Sequence, residues 1–321
     1  MASAAVRNRA AQPLKRLQAA AVCQARVTNG YAMNEIDFIE LLLKEASAYV
    51  KAKYAGRTRL HVQEKNGAND LLTEVDLAVQ NQMVERISSA YPSDVIVAEE
   101  QGLDARPANA PKRCWIIDPI DGTQNFLRGL FPAFGITVAF AADGALRAGG
   151  VSMPITQDLF LAERNNGAAR NGQQVRVSAL SDMSRARAEV DFSHPKHRDQ
   201  TLNVMADVIR RTGQIRCYSS AVVALCSIAC GDSEAFTHVG LKPWDYAAGQ
   251  LIVEEAGGRT SRLDGSPLGL FDGKRGVLAT NGAVHDAFLT ALGNHSPGGT
   301  ASPNGSPEAS AESESSGVSE T

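Results

Sequence analysis

The sequence predicts a layered α+β or α/β protein, and three observations carry that prediction. Apolar residues at helical spacing open the body of the chain. Turn-punctuated apolar runs fill its middle, and strands alternate with helices through its last third. The first helix is IDFIELLLKEASAYVKAKY, with Ile36, Phe38, Ile39, Leu42, Leu43, Ala46 and Val50 on one face and Asn34 as its cap. A second helix is predicted over Thr73 to Ala90, with Leu77, Val79, Met83, Val84 and Ile87 inward. Short strands follow at Val95–Ala98 and at Trp115-Ile116-Ile117. Phe134–Phe140 and Leu146–Met153 flank Asp143-Gly144 and read as a hairpin, and a second hairpin joins Asp158–Glu163 to Ala168–Arg170 before a turn at Asn171-Gly172. Beyond it, strands are expected at Ala188–Phe192, Gln214–Tyr218, Glu234–His238 and Gly276–Thr280. Helices are expected at Thr201–Arg211, Ala221–Cys230, Tyr246–Ala256 and Ala283–Leu292.

The composition excludes several classes. With 321 residues, 44% hydrophobic and 21% charged, the chain is ordinary for a globular protein of one large domain or two intimate subdomains. No apolar run of about 18 residues is present, so no membrane span is expected. A formal net charge of -3 argues against a general nucleic-acid binder, which needs a basic excess. Five cysteines, Cys23, Cys114, Cys217, Cys226 and Cys230, form no CxxC pair and read as buried free thiols in a reducing compartment. Residues 1–34 carry five basic residues and no acid, the composition of an organelle transit peptide or of an extension upstream of a start at Met33. Residues 296–321 hold eight Ser, three Pro, four Gly and four Glu, and read as a disordered tail. Between them, 35–185 is expected to form an N-terminal α+β subdomain and 186–295 a C-terminal α/β subdomain. The expected location is the cytoplasm, or an organelle matrix if residues 1–34 are a transit peptide.

Five acids stand at strand ends or helix starts: Asp76, Glu99, Asp118, Asp121 and Asp245. In Asp118-Pro119-Ile120-Asp121-Gly122-Thr123, Pro119 biases Asp118 toward an extended backbone and Gly122 permits a tight turn. Two carboxylates on one rigid turn converge and repel, and a hard divalent cation with oxygen ligands, Mg²⁺ or Mn²⁺, resolves the conflict. Each residue also has an ordinary structural role. Asp245 would cap a helix, Asp76 and Glu100 would be solvated or salt-bridged surface acids, Lys65 an exposed lysine, and His238 a strand end. Other phosphate chemistries fail on spacing: there is no GxxxxGK[ST] loop, no cysteine six residues ahead of an arginine, and no DxDx[TV] pattern.

Four ordered motifs carry a resemblance: DPIDGTQNF (Asp118–Phe126), PWDYAAGQLIVEEAGG (Pro243–Gly258), KNGANDLLTEVD (Lys65–Asp76) and AEE (Ala98–Glu100). From about Ile36 to Leu292 the chain resembles the inositol monophosphatase family of Mg²⁺-dependent, lithium-sensitive sugar phosphatases. The resemblance implies an αβαβα sugar-phosphatase fold, a homodimer, and two or three Mg²⁺ per site, for which Mn²⁺ can substitute. It implies that Glu99, Asp118 and the Ile120 carbonyl hold one metal and that Asp118, Asp121 and Asp245 hold a second. Gly122 and Thr123 amides would bind the phosphate, Asp76 and Thr123 would orient water, and Glu99 would assist as base. Lys65 would be a phosphate counter-charge, and Ser219, Ser220, Ala221 and His238 would meet the alcohol. The implied reaction is in-line attack of metal-activated water on inositol-1-phosphate or a related polyol monophosphate.

One departure bears on the substrate. Members preferring inositol phosphates carry Glu seven residues before the Asp of the second motif, where this chain has His238. The same chemistry on histidinol phosphate, a nucleotide 3′-phosphate or a sugar bisphosphate is the alternative. A non-catalytic regulatory or binding protein on the same fold is the alternative of another class. The expected partner is a small phosphate ester, with no nucleic acid and no membrane. His194 and His197 are expected at the surface or the substrate rim.

Overall fold

A computed structural model describes residues 33–65, 71–100, 111–129, 132–192 and 198–293. The expected extension at 1–34, apart from its last two residues, and the acidic tail lie outside the described residues, as do His194, His197 and Cys23.

In chain order the helices are α1 (Glu35–Tyr54), α2 (Glu74–Ala90), α3 (Thr123–Arg128), α4 (Arg198–Arg211), α5 (Ala221–Ala229), α6 (Pro243–Glu255) and α7 (His285–Gly293). A seven-stranded sheet runs in spatial order β3 (Val95–Ala98), β4 (Arg113–Asp121), β5 (Gly135–Ala142), β6 (Ala145–Met153), β7 (Asp158–Glu163), β8 (Gly167–Arg170) and β9 (Gln173–Gln174). Only its β3–β4 edge pair is parallel. A five-stranded sheet is formed by β10 (Arg187–Val190), β11 (Gln214–Arg216), β12 (Ala235–His238), β13 (Arg259–Ser261) and β14 (Val277–Thr280), in the order β11-β10-β12-β14-β13. There β10 pairs parallel with both β11 and β12. A two-stranded ribbon joins β1 (Val62–Glu64) to β2 (Leu71–Thr73).

Five layers result. Helices α1 and α2 cover one face of the large sheet, α5 and α6 lie between the sheets, and α4 and α7 cover the far face of the small sheet. Alternation along β4 shows how one strand serves two cores. Trp115 and Ile117 pack with α1 and α2, while Cys114 and Ile116 face the α5–α6 layer. Along β10, Ala188 and Val190 pack against α4 and α7, so Glu189 points the other way, into the middle of the molecule. No helix among the described residues is long and apolar enough to cross a membrane.

Three readings of the sequence are corrected here. The DPID segment is not a turn. Strand β4 continues through it with a register break between Asp118 and Asp121, and the turn comes at Gly122. Asp245 is not an N-cap, because α6 begins at Pro243 and its cap position is Lys242; Asp245 lies in the first turn and accepts from the Lys242 N–H at 2.8 Å. Cys217 is exposed rather than buried, whereas Cys114 and Cys226 are buried thiols.

Candidate active site

The site gathers where β3, β4, α2, α5 and α6 end or begin. The β4 bulge keeps both acids on one side despite their three-residue spacing, where an unbroken strand would set them on opposite faces. Asp118 Oδ1 accepts from the Ile120 N–H at 2.9 Å, which stiffens the bulge from within. Gly122 then takes φ +88°, and a Cβ there would meet the Ala133 carbonyl oxygen at 3.0 Å and the Cβ atoms of Phe134 and Ser220 at 3.3 Å. Both the left-handed backbone and the close approach require glycine.

Oxygen atoms of Asp118, Asp121 and Asp245 all lie within 4.8 Å of one another, with Asp118 buried and the other two half-buried. Glu99, at the end of β3, is within hydrogen-bonding reach of Asp118. Burial raises Asp118 well above the usual carboxylate range, and the charges of Glu99, Asp121 and Asp245 push it further. Burial likewise raises Asp245, helped by Asp121 and Glu99. Asp121 rises to about 7 through burial, although donors from Ser220 and the Val222 N–H, the latter at 3.1 Å, hold it down in part. Hard oxygen donors packed this closely fit a divalent ion of the Mg²⁺ or Mn²⁺ kind.

Asp76 is fully buried in the first turn of α2, not a surface acid. Thr73 caps that helix and binds Asp76 Oδ2 through both its hydroxyl and its N–H, the latter at 2.9 Å. This leaves Asp76 Oδ1 facing Thr123, whose Oγ1 lies 3.3 Å from it and 3.1 Å from the Ile120 carbonyl oxygen. Burial raises Asp76 to about 6. Lys65 is not a solvated lysine. Its Nζ lies 2.6 Å from Glu99 and 2.8 Å from Glu100, and burial, which would lower it, is outweighed by those carboxylates, so its pKa is raised. Glu100 is 2% exposed and rises to about 7, chiefly through burial. The rest of the Lys65–Asp76 motif, residues 66–70, lies outside the described residues.

The expected substrate residues occupy the neighbouring edge. Ser220 caps α5, accepts from the Val223 N–H at 3.4 Å and donates to Asp121. Ser219 has φ +53°, and Ala221 opens the helix, buried. His238 ends β12, where its Nδ1 accepts from the Gly240 N–H at 3.0 Å. Sequence reasoning missed the positioning groups. Gln80 locks Glu100 by two backbone contacts, at 2.6 and 2.8 Å, and Thr73 fixes Asp76. The T-x-x-D spacing ahead of an apolar helix was the available signal for Thr73; nothing in the sequence marked Gln80. A cavity of about 620 Å³ lies elsewhere, between α1 and the β6–β7 hairpin, and holds none of these acids.

Stacked α and β layers with a carboxylate cluster at their strand ends define a layered α/β protein with a candidate metal site. The profile of the inositol monophosphatase family matches residues 33–296, and the chain belongs to that family. It is 36% identical over 242 residues to the Pseudomonas aeruginosa protein named Nus factor SuhB, covering 74% of this chain and 88% of that one. It is 33% identical over 257 residues to a Thermotoga maritima fructose-1,6-bisphosphatase/inositol-1-monophosphatase, covering 80% and 95%. The solved structure of a Thermotoga maritima IMPase superposes with a TM-score of 0.72 at 30% identity, over 82% of this chain and 98% of that one.

Proposed function

We propose that the protein is a Mg²⁺-dependent phosphomonoesterase acting on inositol-1-phosphate or a related polyol monophosphate. The observation that carries this is the trio of mutually close carboxylates beside the Gly122 turn. Glu99, Asp118 and the Ile120 carbonyl would hold one ion, and Asp118, Asp121 and Asp245 a second. When bound, such ions supply Lewis acidity toward the phosphate and lower the pKa of water.

The chain's own groups do the rest. The Gly122 and Thr123 N–H groups, at the start of α3, would bind the phosphate oxygens. Thr123 Oγ1, set between Asp76 and the Ile120 carbonyl, holds the attacking water in line, and Asp76 Oδ1 accepts the proton passed through it. Glu99 stands on the opposite wall as an assisting base. Lys65 offsets the negative charge of the acids and of the incoming ester. Ser219, Ser220, Ala221 and His238 face the alcohol. The supporting analogies are a relative named as inositol-1-monophosphatase in Synechocystis, 34% identical over 233 residues, and a Staphylococcus aureus IMPase-II solved with 2′AMP, at 25% identity and a TM-score of 0.70 over 81% of this chain and 94% of that one. The second keeps a nucleotide phosphate among the alternatives, with histidinol phosphate and sugar bisphosphates. A homodimer in the cytoplasm completes the reading.

The test is phosphate release from polyol, amino-alcohol and nucleotide esters, with and without Mg²⁺, for the wild type and His238→Glu. Mg²⁺-dependent release is expected, with a gain on inositol-1-phosphate in the variant. No release from any ester favours a non-catalytic regulatory role, the second reading, which draws on the relatives named Nus factor SuhB.

A further inference from the structure

The edge of the small sheet next to the acids carries a carboxylate that none of the four motifs contains. Strands β10 and β12 are parallel neighbours, with Glu189 level with Phe236 and Val190 level with Thr237. Asp191 follows β10 directly, and His238 is the last residue of β12. Glu189 and Phe236 share the inward face, toward the α5–α6 layer, whereas Val190 and Thr237 face α4. Residues two positions on from an inward residue return to its side, so Asp191 and His238 both meet the mouth of the site at the carboxyl ends of parallel strands, where ligands of open α/β sheets bind.

One contact, a shared cavity and a charge effect tie Asp191 to the site. Its Oδ1 accepts from Cys217 Sγ at 3.9 Å, and Cys217 in turn lies 3.8 Å from Ser219 Oγ. Asp191 lines one small cavity with Tyr218, Ser219, Ser220 and the buried Glu189. Its charge reaches Asp121 across that space. Beneath it, Glu189 binds Ser233 at 3.1 Å through one oxygen while its other, Oε2, is buried with no hydrogen-bond partner among the described residues.

The neighbouring histidine has the opposite polarity. Its Nδ1 accepts from Gly240, so the ring proton sits on Nε2, which is a donor. A carboxylate only accepts. The chain therefore sets one acceptor and one donor at the ends of two neighbouring strands.

We propose that Asp191 is the specificity-determining residue for the leaving alcohol, accepting hydrogen bonds from its hydroxyl or ammonium groups while His238 donates to an adjacent oxygen. This rests on the phosphatase reading and names the substrate class within it: phosphate esters of alcohols that bear further hydrogen-bond donors, polyols or amino alcohols.

The test compares kcat and KM of the wild type, Asp191→Asn and Asp191→Glu with Mg²⁺ on inositol-1-phosphate, histidinol phosphate and phenyl phosphate, whose alcohol carries no second donor. A hydrogen bond to a charged group is worth roughly 1.5–3 kcal/mol, so Asp191→Asn is expected to lower the preference for the donor-bearing ester over phenyl phosphate by about tenfold to a hundredfold, mostly through KM. Asp191→Glu is expected to keep more of that preference. The arm that responds tells hydroxyl from ammonium recognition. An unchanged preference ratio in a wild type that turns over all three esters overturns the role of Asp191 alone. So does an equal loss on phenyl phosphate, which a general change of field at Asp121 would produce. No turnover by the wild type on any ester overturns the phosphatase reading and this proposal together.

Discussion

Asp121 shows how one side chain is held ready for a partner it does not find among neighbouring residues. Its Oδ2 is fixed by Ser220 and by the Val222 N–H, while Asp118 and Asp245 crowd its other side. Replacing it with Asn removes a charge but keeps an acceptor for those donors. We expect Asp121→Asn to lose phosphate release by about a hundredfold or more. The metal-free variant should melt at the wild-type temperature or above it, because one member of a repelling cluster is neutralised. Activity within tenfold of wild type would remove Asp121 from the metal site. At this scale the sequence was informative where chemistry leaves a motif, as for Asp118, Asp121 and Asp245. It was silent where position comes from folding alone, as for Gln80 and Asp191. The alternative of Asp76 and Glu100 as surface acids fails because both are buried, and local polarity says nothing about which layer will cover a residue. The alternative of an exposed Lys65 fails for the same reason, since its two carboxylate partners lie 34 and 35 residues away in sequence.

Among the elements, α2 links stability to chemistry most directly. Thr73 caps the helix and clamps the carboxylate that faces Thr123. Thr73→Ala is expected to cost about 1–2 kcal/mol in urea unfolding. It should also lower kcat by roughly tenfold with KM little changed, since Asp76 loses the group that aims it. Full activity with lost stability would separate the cap from the site. Most elements were legible because their apolar period was long or their turn residues were strong, as in the α1 face and the Asp143-Gly144 hairpin. Helix α6 begins at Pro243, three residues ahead of the Tyr246 start drawn from apolar spacing, because proline is well suited to the first turn of a helix. Strand β4 was cut short at Asp118 because a bulge looks like a turn when only residue types are visible. The β1–β2 ribbon was missed because its first strand is fully exposed and carries no apolar alternation.

For the whole molecule, the raised carboxylates predict an unusual pH profile for the metal-free protein. Asp76 and Asp121 rise from an ordinary value near 3.8 to about 6 and about 7, and Glu100 and Glu189 rise from near 4.5 to about 7 and about 8. Between pH 4 and pH 7 the folded state therefore binds more protons than the unfolded chain. The stability these groups contribute is complete below about pH 4 and is lost as pH rises through their folded values. His285 works in the other direction. Burial, with the nearby Arg259 charge, pushes it down to about 4, so its contribution is complete above about pH 6.5 and falls as pH drops toward 4. The carboxylates outnumber it, so the melting temperature of metal-free protein should fall as pH rises from 4 to 7. Saturating Mg²⁺ should cancel or reverse that slope, because a bound cation favours the ionised acids. Calorimetry across that range with and without Mg²⁺ checks both; identical slopes would mean that the acids do not meet the ion. The five-layer order itself was not visible in residue patterns, which fix faces but not which sheet a face will meet; the family resemblance supplied it.

The acids of this cleft come from separate layers: Asp76 from an outer helix, Glu99, Asp118 and Asp121 from the large sheet, and Asp245 from the central helices. An ion seated among them would therefore act as a rivet through the stack. At a hundred times its dissociation constant such a rivet adds about 2.7 kcal/mol, shared by layers that otherwise meet through apolar packing and a few hydrogen bonds, such as that from Thr137 Oγ1 to the Trp244 carbonyl. Chelation should then loosen the seams between layers before it unravels any one of them, and amide exchange would speed up first at the ends of β4 and α6.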